Sequence, residues 1–299
     1  MRAVVISIVI PVFESAAIIG TTIDRVMATC EREGWDYEVV AVDDASRDDT
    51  LRHLQVLSRR YPRLRVLTTP LNGGQHRALL RGLKASTGAI AVCMDDDLQH
   101  RPESIPALVR AVQTGHDAVF ARFDHPQHAP WRRVGSAVVR AIDRVVFGAP
   151  RWLHVTSFRA IHRTVVDRVC AYGGSAPYVR GQILLASRSP TNVDVEHLPR
   201  GAASSYSPVM LVGVVVRVLL EWSVIPAVTA VCAGALVLSV SAALLLAGNP
   251  NARVLAPLGL AYGVALTGLG LFALRRTQER RVAQSETCGE RADAVRRGV

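Results

Sequence analysis

The chain has 299 residues and a formal net charge of +10, a length that suits one medium-sized domain and an appended segment. A basic chain suits nucleic acid, anionic lipid or a phosphorylated substrate, but no zinc-finger, RNA-binding or basic-heptad pattern occurs, so we expect no nucleic acid. Five scattered cysteines without a Cys-x-x-Cys pair indicate neither a zinc site nor a disulfide framework, and favour a reducing, cytosolic side.

Short apolar runs alternate with amphipathic segments along the first part of the chain. The runs are apolar on both faces, as in a parallel sheet that is covered by helices. The predicted strands are 3–10, 37–42, 64–67, 89–94 and 117–121. The predicted helices run from Ser15 to about Glu33, from a cap at Ser46, from Asn72 to about Ala85, and from Pro102 to about Gln113. This alternation predicts an α/β fold with a doubly wound, mostly parallel sheet.

Three consecutive carboxylates, Asp95, Asp96 and Asp97, directly follow the fourth predicted strand, and Gln99 lies two residues further on. Ligands bind at this edge of open α/β sheets. Adjacent carboxylates repel one another unless water or a cation neutralises them. Oxygen ligands suit Mg²⁺ or Mn²⁺, and Mg²⁺ is usually held by one or two carboxylates together with substrate phosphates. A solvated acidic turn is the alternative, but the position after a buried strand favours a metal–diphosphate site.

Two other strands also end in polar or glycine-rich turns. Asp43 and Asp44 place carboxylates at the end of the second strand, and Asn72-Gly73-Gly74 follows the third. The glycines do not fit Gly-x-Gly-x-x-Gly, and no acidic residue follows at the required distance, which disfavours a dehydrogenase. We expect these glycines to let the backbone approach a ligand or a neighbouring strand.

Arginine dominates the segment from Arg122 to Arg168, which holds nine arginines and three acidic residues. Trp131-Arg132-Arg133 and the apolar residues after it predict an amphipathic basic helix. One interpretation is a solvated face. The other is a surface that meets anionic headgroups and a phosphate.

The last third contains two long uncharged runs, at about 224–247 and 254–274. Each is long enough to cross a hydrocarbon core of roughly 30 Å, and a buried soluble hairpin is the alternative. Arginines cluster after Leu274, which by the positive-inside rule places both ends in the cytoplasm. Small residues, Gly263, Gly268 and Gly270, suit packing between the two runs. The predicted parts are a catalytic domain at 1–205, an interfacial helix at 206–222, two transmembrane helices within 223–275, and a basic tail at 276–299.

Four motifs stand in order through the first half: PVFE at 11–14, DDASRDDT at 43–50, NGGQHRALLRGL at 72–83 and MDDDLQHRPE at 94–103. Together they resemble glycosyltransferase family 2, whose members have the GT-A fold. The acidic Asp-x-Asp-Leu-Gln motif, the arginine-rich segment and the apolar C-terminal runs are similar to the polyprenyl-phosphate glycosyltransferases. That group includes bactoprenol glucosyltransferases, dolichyl-phosphate mannose synthases and undecaprenyl-phosphate aminoarabinose enzymes.

The resemblance implies roles for particular residues. It implies that the metal is held by Asp95, Asp97 and Gln99, and that the catalytic residues are Asp97, Arg122 and Arg133. It implies that the acceptor phosphate meets Arg122, Arg133 and Ser136. It implies that the donor is bound by Pro11, Phe13, Glu14, Asp43, Asp44, Gly73, Gln75, Asp95, Asp96 and Arg200.

The implied reaction moves a sugar from a nucleotide-diphosphate donor, preferably a UDP-sugar, to polyprenyl monophosphate, with inversion. The enzyme would be a multi-pass protein of the inner (plasma) membrane with its catalytic domain in the cytoplasm, and the sequence allows a homo-oligomer. His76 and His100 are assigned to hydrogen bonding or packing rather than to base catalysis. The alternatives are a family 2 transferase with another lipid or polysaccharide acceptor, and a non-catalytic nucleotide-binding membrane module. No Gln-x-x-Arg-Trp motif of the processive polymerases follows the acidic loop.

Overall fold

A computed structural model describes residues 5–123, 130–171, 177–195, 225–246 and 257–271. Side chains are described throughout these ranges except at 130–136, 225–227 and 245–246. The chain divides into two compact units, Met1–Ser205 and Tyr206–Val299.

A seven-stranded sheet forms the centre of the described part of the first unit. Its strands are β1 Ile6–Val12, β2 Tyr37–Asp43, β3 Leu64–Thr68, β4 Ile90–Cys93, β5 Ala118–Phe123, β6 Arg159–His162 and β7 Pro190–Val195. They are arranged in the order β3-β2-β1-β4-β6-β5-β7. Neighbouring strands pair in parallel except where β6 runs antiparallel to β4 and β5. The expected mostly parallel α/β sheet is therefore confirmed.

Helices connect these strands. They are α1 Ile19–Arg32, α2 Thr50–Arg60, α3 Gln75–Ala85, α4 Ile105–Gln113, α5 Pro130–Val145, α6 Arg163–Cys170 and α7 Val179–Ala186. A short 3₁₀ turn, Pro102–Ser104, precedes α4. The predicted amphipathic helix at Trp131 is confirmed as α5.

Two predicted helix starts are wrong. Helix α1 begins at Ile19 rather than after Ser15, and α2 begins at Thr50 rather than after Ser46. The carbonyl of Ser15 does accept the N–H groups of Ile18 and Ile19. The hydroxyls of both serines instead contact other loops at the sheet edge, because tertiary partners there compete with local capping.

The sequence did not predict β6 and β7. Strand β6 has only four residues, and β7 mixes proline, threonine, asparagine and aspartate with valine, so neither shows a clear apolar pattern. Insertion of β6 between β4 and β5 also cannot be read from chain order, because β6 follows both in sequence.

The core lies on both faces of the sheet. Strand β1 is buried along its whole length, as expected for a central strand. On one face, α1 and α4 pack over β1, β2 and β4. On the other, α3 comes so close that a Cβ at Gly82 would collide with Val9. This packing fixes the carboxyl ends of β1, β2 and β4 along a single edge.

The described part of the second unit contains two helices, α8 Ile225–Leu246 and α9, residues 257–271. Gly234 of α8 faces Gly263 and Thr267 of α9, where an added Cβ would lie 2.8 Å from the Gly263 carbonyl oxygen. Small-residue packing is therefore confirmed at Gly263, whereas Gly268 faces open space and its predicted packing is wrong. Over the described residues, no helix is both long and apolar enough to cross a membrane. The expected transmembrane pair is not confirmed.

Candidate functional site

Three non-glycine residues with left-handed backbone mark the carboxyl edge of the sheet. They are Glu14 at φ 50°, Ala45 at φ 58° and Leu98 at φ 58°, and they follow β1, β2 and β4 respectively. Such conformations cost about 1–3 kcal/mol each and persist only where surrounding structure holds them. Their convergence at a single edge identifies that edge as the candidate site.

Asp96 ties the acidic loop to the loop after β1. Its Oδ2 accepts hydrogen bonds from the Ser15 hydroxyl and from the Phe13 N–H, the latter at 3.3 Å. Its carbonyl accepts from Thr22 Oγ1 at 3.0 Å. Burial raises the pKa of Asp96 to about 6, and the neighbouring Asp95 adds to the rise. Asp96, which the resemblance assigns to binding of the sugar donor, therefore also links the loop after β4 to the loop after β1.

Asp95 connects the acidic loop to two other elements. Gln75 Nε2, at the start of α3, donates to Oδ1 at 2.5 Å. Ser157 Oγ, just before β6, donates to Oδ2 at 2.7 Å. The structure thus brings the predicted pair Asp95 and Gln75 together. The sequence did not predict Ser157, which lies 62 positions further along the chain than Asp95 and belongs to no motif.

Asp97 lies in the turn that Leu98 closes, and its Oδ1 accepts the Gln99 N–H at 3.1 Å. Among the described residues, no three His, Cys, Asp or Glu side chains converge to hold a metal ion. Two carboxylates at this edge still match the donor set of Mg²⁺, which commonly takes one or two carboxylates and completes its shell with water and substrate phosphates. Asp95 and Asp97 therefore fit a metal that is bound together with a diphosphate.

Asp43 and Asp44 have different surroundings although both are buried. Asp44 accepts from Thr69 Oγ1 at 2.9 Å and from the N–H groups of Gly73 and Gly74 at 3.0 and 2.7 Å. Gly74 has φ +82°, a conformation that glycine adopts without steric cost. Both Asp44 oxygens thus anchor the loop that starts α3.

Asp43 keeps one unsatisfied oxygen. Its Oδ2 lies 3.4 Å from the Ser46 N–H, while the buried Oδ1 has no hydrogen-bond partner among the described residues. An unsatisfied buried acceptor costs about 1–3 kcal/mol, which a ligand donor would recover. Phe13 is 42% exposed at the same edge, whereas Pro11 is buried within β1 opposite Val42. Glu14 is exposed and donates its N–H to Ser46.

Neither histidine near the motifs has the surroundings of a base. Burial and the neighbouring Arg159 lower the pKa of His76 to about 4. His100 is buried, stacks on Phe158 with ring centroids 5.0 Å apart, and accepts the Asp95 N–H through Nδ1 at 3.0 Å. His100 therefore supports the acidic loop by packing and hydrogen bonding, as predicted.

Arg122 lies within β5, not after it, and binds a carboxylate that the sequence did not predict. Its Nε and Nη2 donate to the two oxygens of Asp194 on β7 at 2.5 and 2.7 Å. The two residues are register partners, and the hydrogen bond from Arg122 lowers the pKa of Asp194. The side chains of Arg133 and Ser136 on α5, and all of Arg200, lie outside the described residues.

The family model for glycosyl transferase family 2 matches residues 7–179, which include every motif of this edge except Asp194. The chain belongs to glycosyltransferase family 2. It is therefore a glycosyltransferase.

Two relatives named undecaprenyl-phosphate 4-deoxy-4-formamido-L-arabinose transferase illustrate the similarity. The protein from Pseudomonas syringae pv. syringae is 30% identical over 272 residues, which cover 90% of this chain and 78% of the relative. The protein from Pseudomonas aeruginosa strain PAO1 is 30% identical over 271 residues with the same coverage.

The fold is similar to that of glucosyl-3-phosphoglycerate synthase from Mycobacterium tuberculosis, crystallised with Mn²⁺, UDP and phosphoglyceric acid. The TM-score is 0.54 at 22% identity, over 73% of this chain and 76% of that one. This likeness supports the GT-A-like architecture of the glycosyltransferase.

Asp44→Asn should destabilise the glycosyltransferase by about 1–3 kcal/mol, because the new amide NH₂ would meet backbone N–H donors in a buried position. Asp49→Asn is the control, since that side chain is 68% exposed and, among the described residues, its only ion pair is a 4.0 Å contact with Arg52. Thermal unfolding of both variants measures the difference. Equal melting temperatures would contradict the anchoring role of Asp44.

Proposed function

We propose that this glycosyltransferase moves a sugar from a nucleotide-diphosphate donor, a UDP-sugar, to undecaprenyl phosphate. The observation that carries the proposal is the shared edge at which β4 presents Asp95 and Asp97 and β2 presents the unsatisfied oxygen of Asp43. The same sheet presents Arg122 at the end of β5. The two Pseudomonas relatives, named as undecaprenyl-phosphate transferases, support the class of acceptor.

Asp95 and Asp97 would hold Mg²⁺ or Mn²⁺, with Gln99 beside them, and Mn²⁺ is the ion bound with UDP in the structural neighbour. Bound there, the ion offsets the negative charge that develops on the leaving diphosphate. The hydrogen bonds from Gln75 and Ser157 orient the Asp95 carboxylate toward this task.

The donor nucleotide would lie across the ends of β1 and β2. Oδ1 of Asp43, which has no partner among the described residues, can accept a base N–H or a ribose hydroxyl, and Phe13 offers an exposed ring for stacking. Asp44 acts indirectly, because it fixes the Gly73 backbone. Arg200 would reach the diphosphate from the segment before the second unit.

The nucleophile would be a phosphate oxygen of the acceptor. Its second pKa, near ~6, leaves it largely ionised at neutral pH, so the reaction needs no strong base. This agrees with the environments of His76 and His100. Arg122 and Arg133 would hold the phosphate by charge-assisted bonds, with Ser136 beside them. Asp194 takes two donors of the Arg122 fork and so orients the others. In-line attack at the anomeric carbon inverts its configuration.

We place the catalytic unit on the cytoplasmic face of the inner membrane. The uncharged runs and the arginines after Leu274 support two spanning helices within 223–275, an interfacial helix at 206–222 and a cytoplasmic tail at 276–299. The outer faces of α8 and α9 expose large apolar side chains, among them Leu236, Val240, Leu258 and Tyr262. Such a contiguous apolar surface needs lipid or protein to cover it.

Asp97→Asn should lower the rate of sugar transfer on the order of 10²-fold or more, because it removes a carboxylate that would hold the ion that stabilises the leaving diphosphate. The variant should still fold. The assay follows radiolabelled donor into extracted lipid, with Mg²⁺ or Mn²⁺ supplied. Asp49→Asn serves as the matched carboxylate control. Wild-type turnover in Asp97→Asn would overturn the metal assignment.

Arg122→Ala and Arg133→Ala should raise the KM for undecaprenyl phosphate and lower turnover, with little change in the KM for the nucleotide sugar. Arg133→Lys should rescue only partly, because a point charge cannot replace a planar fork. Arg140→Ala and Arg144→Ala are controls, and the assay uses neutral detergent micelles so that anionic lipid does not contribute. The same loss in all four alanine variants would show that the acceptor site lies elsewhere. If the enzyme transfers sugar to another lipid or to a polysaccharide and not to undecaprenyl phosphate, the proposed acceptor is wrong.

The proposed topology puts the C-terminus in the cytoplasm and the turn at 248–253 outside. A reporter enzyme that works only in the cytoplasm should therefore be active when it is fused after Val299. An external signal from that fusion would refute this arrangement.

A further inference from the structure

Strand β6 presents a buried arginine to the strand that leads into the acidic loop. Arg159 is 2% exposed and is the register partner of Cys93 on β4. Ser157, two residues before Arg159, donates to Asp95, which lies two residues after Cys93. Because residues two apart share one face of a strand, Arg159 and Asp95 lie on the same face as diagonal neighbours, roughly 7–8 Å apart.

The charge of Arg159 is not compensated by a carboxylate among the residues that the structure describes. Its Nη1 donates to the Thr156 carbonyl at 3.2 Å, and its side chain bonds to the Cys93 thiol. Its buried Nε has no hydrogen-bond partner within the described ranges. By contrast, Arg180 forms an ion pair with Asp143 at 2.6 Å. Since a buried cation without an acid is costly, Arg159 suits a site that receives an anion.

Helices α3 and α7 bring uncharged polar groups together beside this arginine. Tyr178, just before α7, packs on His76 of α3 with ring centroids 5.0 Å apart, and Gln182 lies one helical turn after Tyr178. Nδ1 of His76 and both amide atoms of Gln182 are buried without partners in the described part of the chain. These groups offer hydrogen bonds but no negative charge that could neutralise Arg159.

Two side chains respond to both Arg159 and Asp95. Burial and Arg159 lower the pKa of His76 to about 4, which leaves it neutral at pH 7, and Asp95 opposes this shift. Burial raises the pKa of the Cys93 thiol, Arg159 opposes the rise, and Asp95 adds to it. The arginine and the carboxylate therefore act on the same small region, where burial leaves little water to screen them.

We propose that Arg159 positions the donor diphosphate through its charge, which lies beside the acidic loop and opposes binding of a metal ion alone. The inference rests on the proposed function and deepens it, because it adds a residue to the donor side of the site. A cation attracts a diphosphate and repels Mg²⁺ or Mn²⁺, so Arg159 lowers metal affinity in the empty site and raises donor affinity. Metal and donor would then bind together.

The test compares Arg159→Met with the wild-type full chain in neutral detergent micelles. Binding of Mn²⁺ alone is titrated by electron paramagnetic resonance of the free ion, and binding of UDP at saturating Mn²⁺ is measured by calorimetry. We expect Arg159→Met to bind Mn²⁺ on the order of tenfold more tightly and UDP on the order of tenfold more weakly, as for loss of one unit charge at this separation. A change that merely disrupts the fold would weaken both.

Three further variants control for structure. Arg159→Lys keeps the charge and should keep both affinities, and Arg159→Gln supplies the neutral variant if Arg159→Met does not fold. Arg163→Gln is the matched control, because Arg163 donates to the Gly88 carbonyl at 2.8 Å and to Ser86 at 3.0 Å, at the other end of β4. It should change neither affinity. Thermal unfolding should show Arg159→Met to be at least as stable as wild type, because an apolar side chain replaces an uncompensated buried charge.

Weaker binding of both Mn²⁺ and UDP by the neutral variant would overturn the proposal, as would unchanged affinities or loss of both in Arg159→Lys. Sugar transfer to undecaprenyl phosphate is measured in parallel. Normal transfer by wild type with either of these results rejects the role of Arg159 alone. Opposite changes in the two affinities without any transfer by wild type keep the role of Arg159 and reject the proposed acceptor. A wild-type chain that binds neither Mn²⁺ nor UDP rejects the donor site and this inference together.

Discussion

The structure depends on how one edge of the sheet accommodates several carboxylates at once. Asp44, Asp95 and Asp96 each accept hydrogen bonds from groups distant in the chain: Gly73 and Gly74, Gln75 and Ser157, and Ser15 and Phe13. Buried carboxylates are tolerated only when such donors satisfy them. The same bonds tie together the loops after β1, β2, β3 and β4, so the need to satisfy the acids also assembles the site.

These acids differ in the hydrogen bonds that their oxygens accept. Asp44 and Asp96 accept hydrogen bonds from backbone N–H groups. Burial raises the pKa of Asp96 to about 6. Asp43 keeps a buried oxygen that has no partner among the described residues, whereas both oxygens of Asp95 accept side-chain hydrogen bonds and Asp97 accepts the N–H of Gln99. The acid-rich loops therefore contain carboxylates that hold other loops in place, and only the hydrogen-bond pattern identifies them.

Strand β6 separates β4, which precedes the acidic loop, from β5, which contains Arg122. Strand β6 runs antiparallel to both neighbours, so β5 does not pair with β4. The residue just before β6, Ser157, therefore reaches the acidic loop and donates to Asp95. Strand β7 then pairs with β5 and supplies both Asp194, which binds Arg122, and Asn192, which binds the backbone of His154 in the loop before β6. The same strand therefore holds Arg122 and this loop.

The sequence by itself determined the five strands of the alternating region, the acidic loop at a strand end and the basic amphipathic helix, because each depends on local periodicity and spacing. It also determined the family, since four motifs occur in order. Only the tertiary structure decided that Ser15 and Ser46 bond to other loops instead of capping helices, and that Asp194 meets Arg122. It likewise placed Ser157 against Asp95. These pairings join residues 32 to 81 positions apart, and strand order, not local pattern, brings them together.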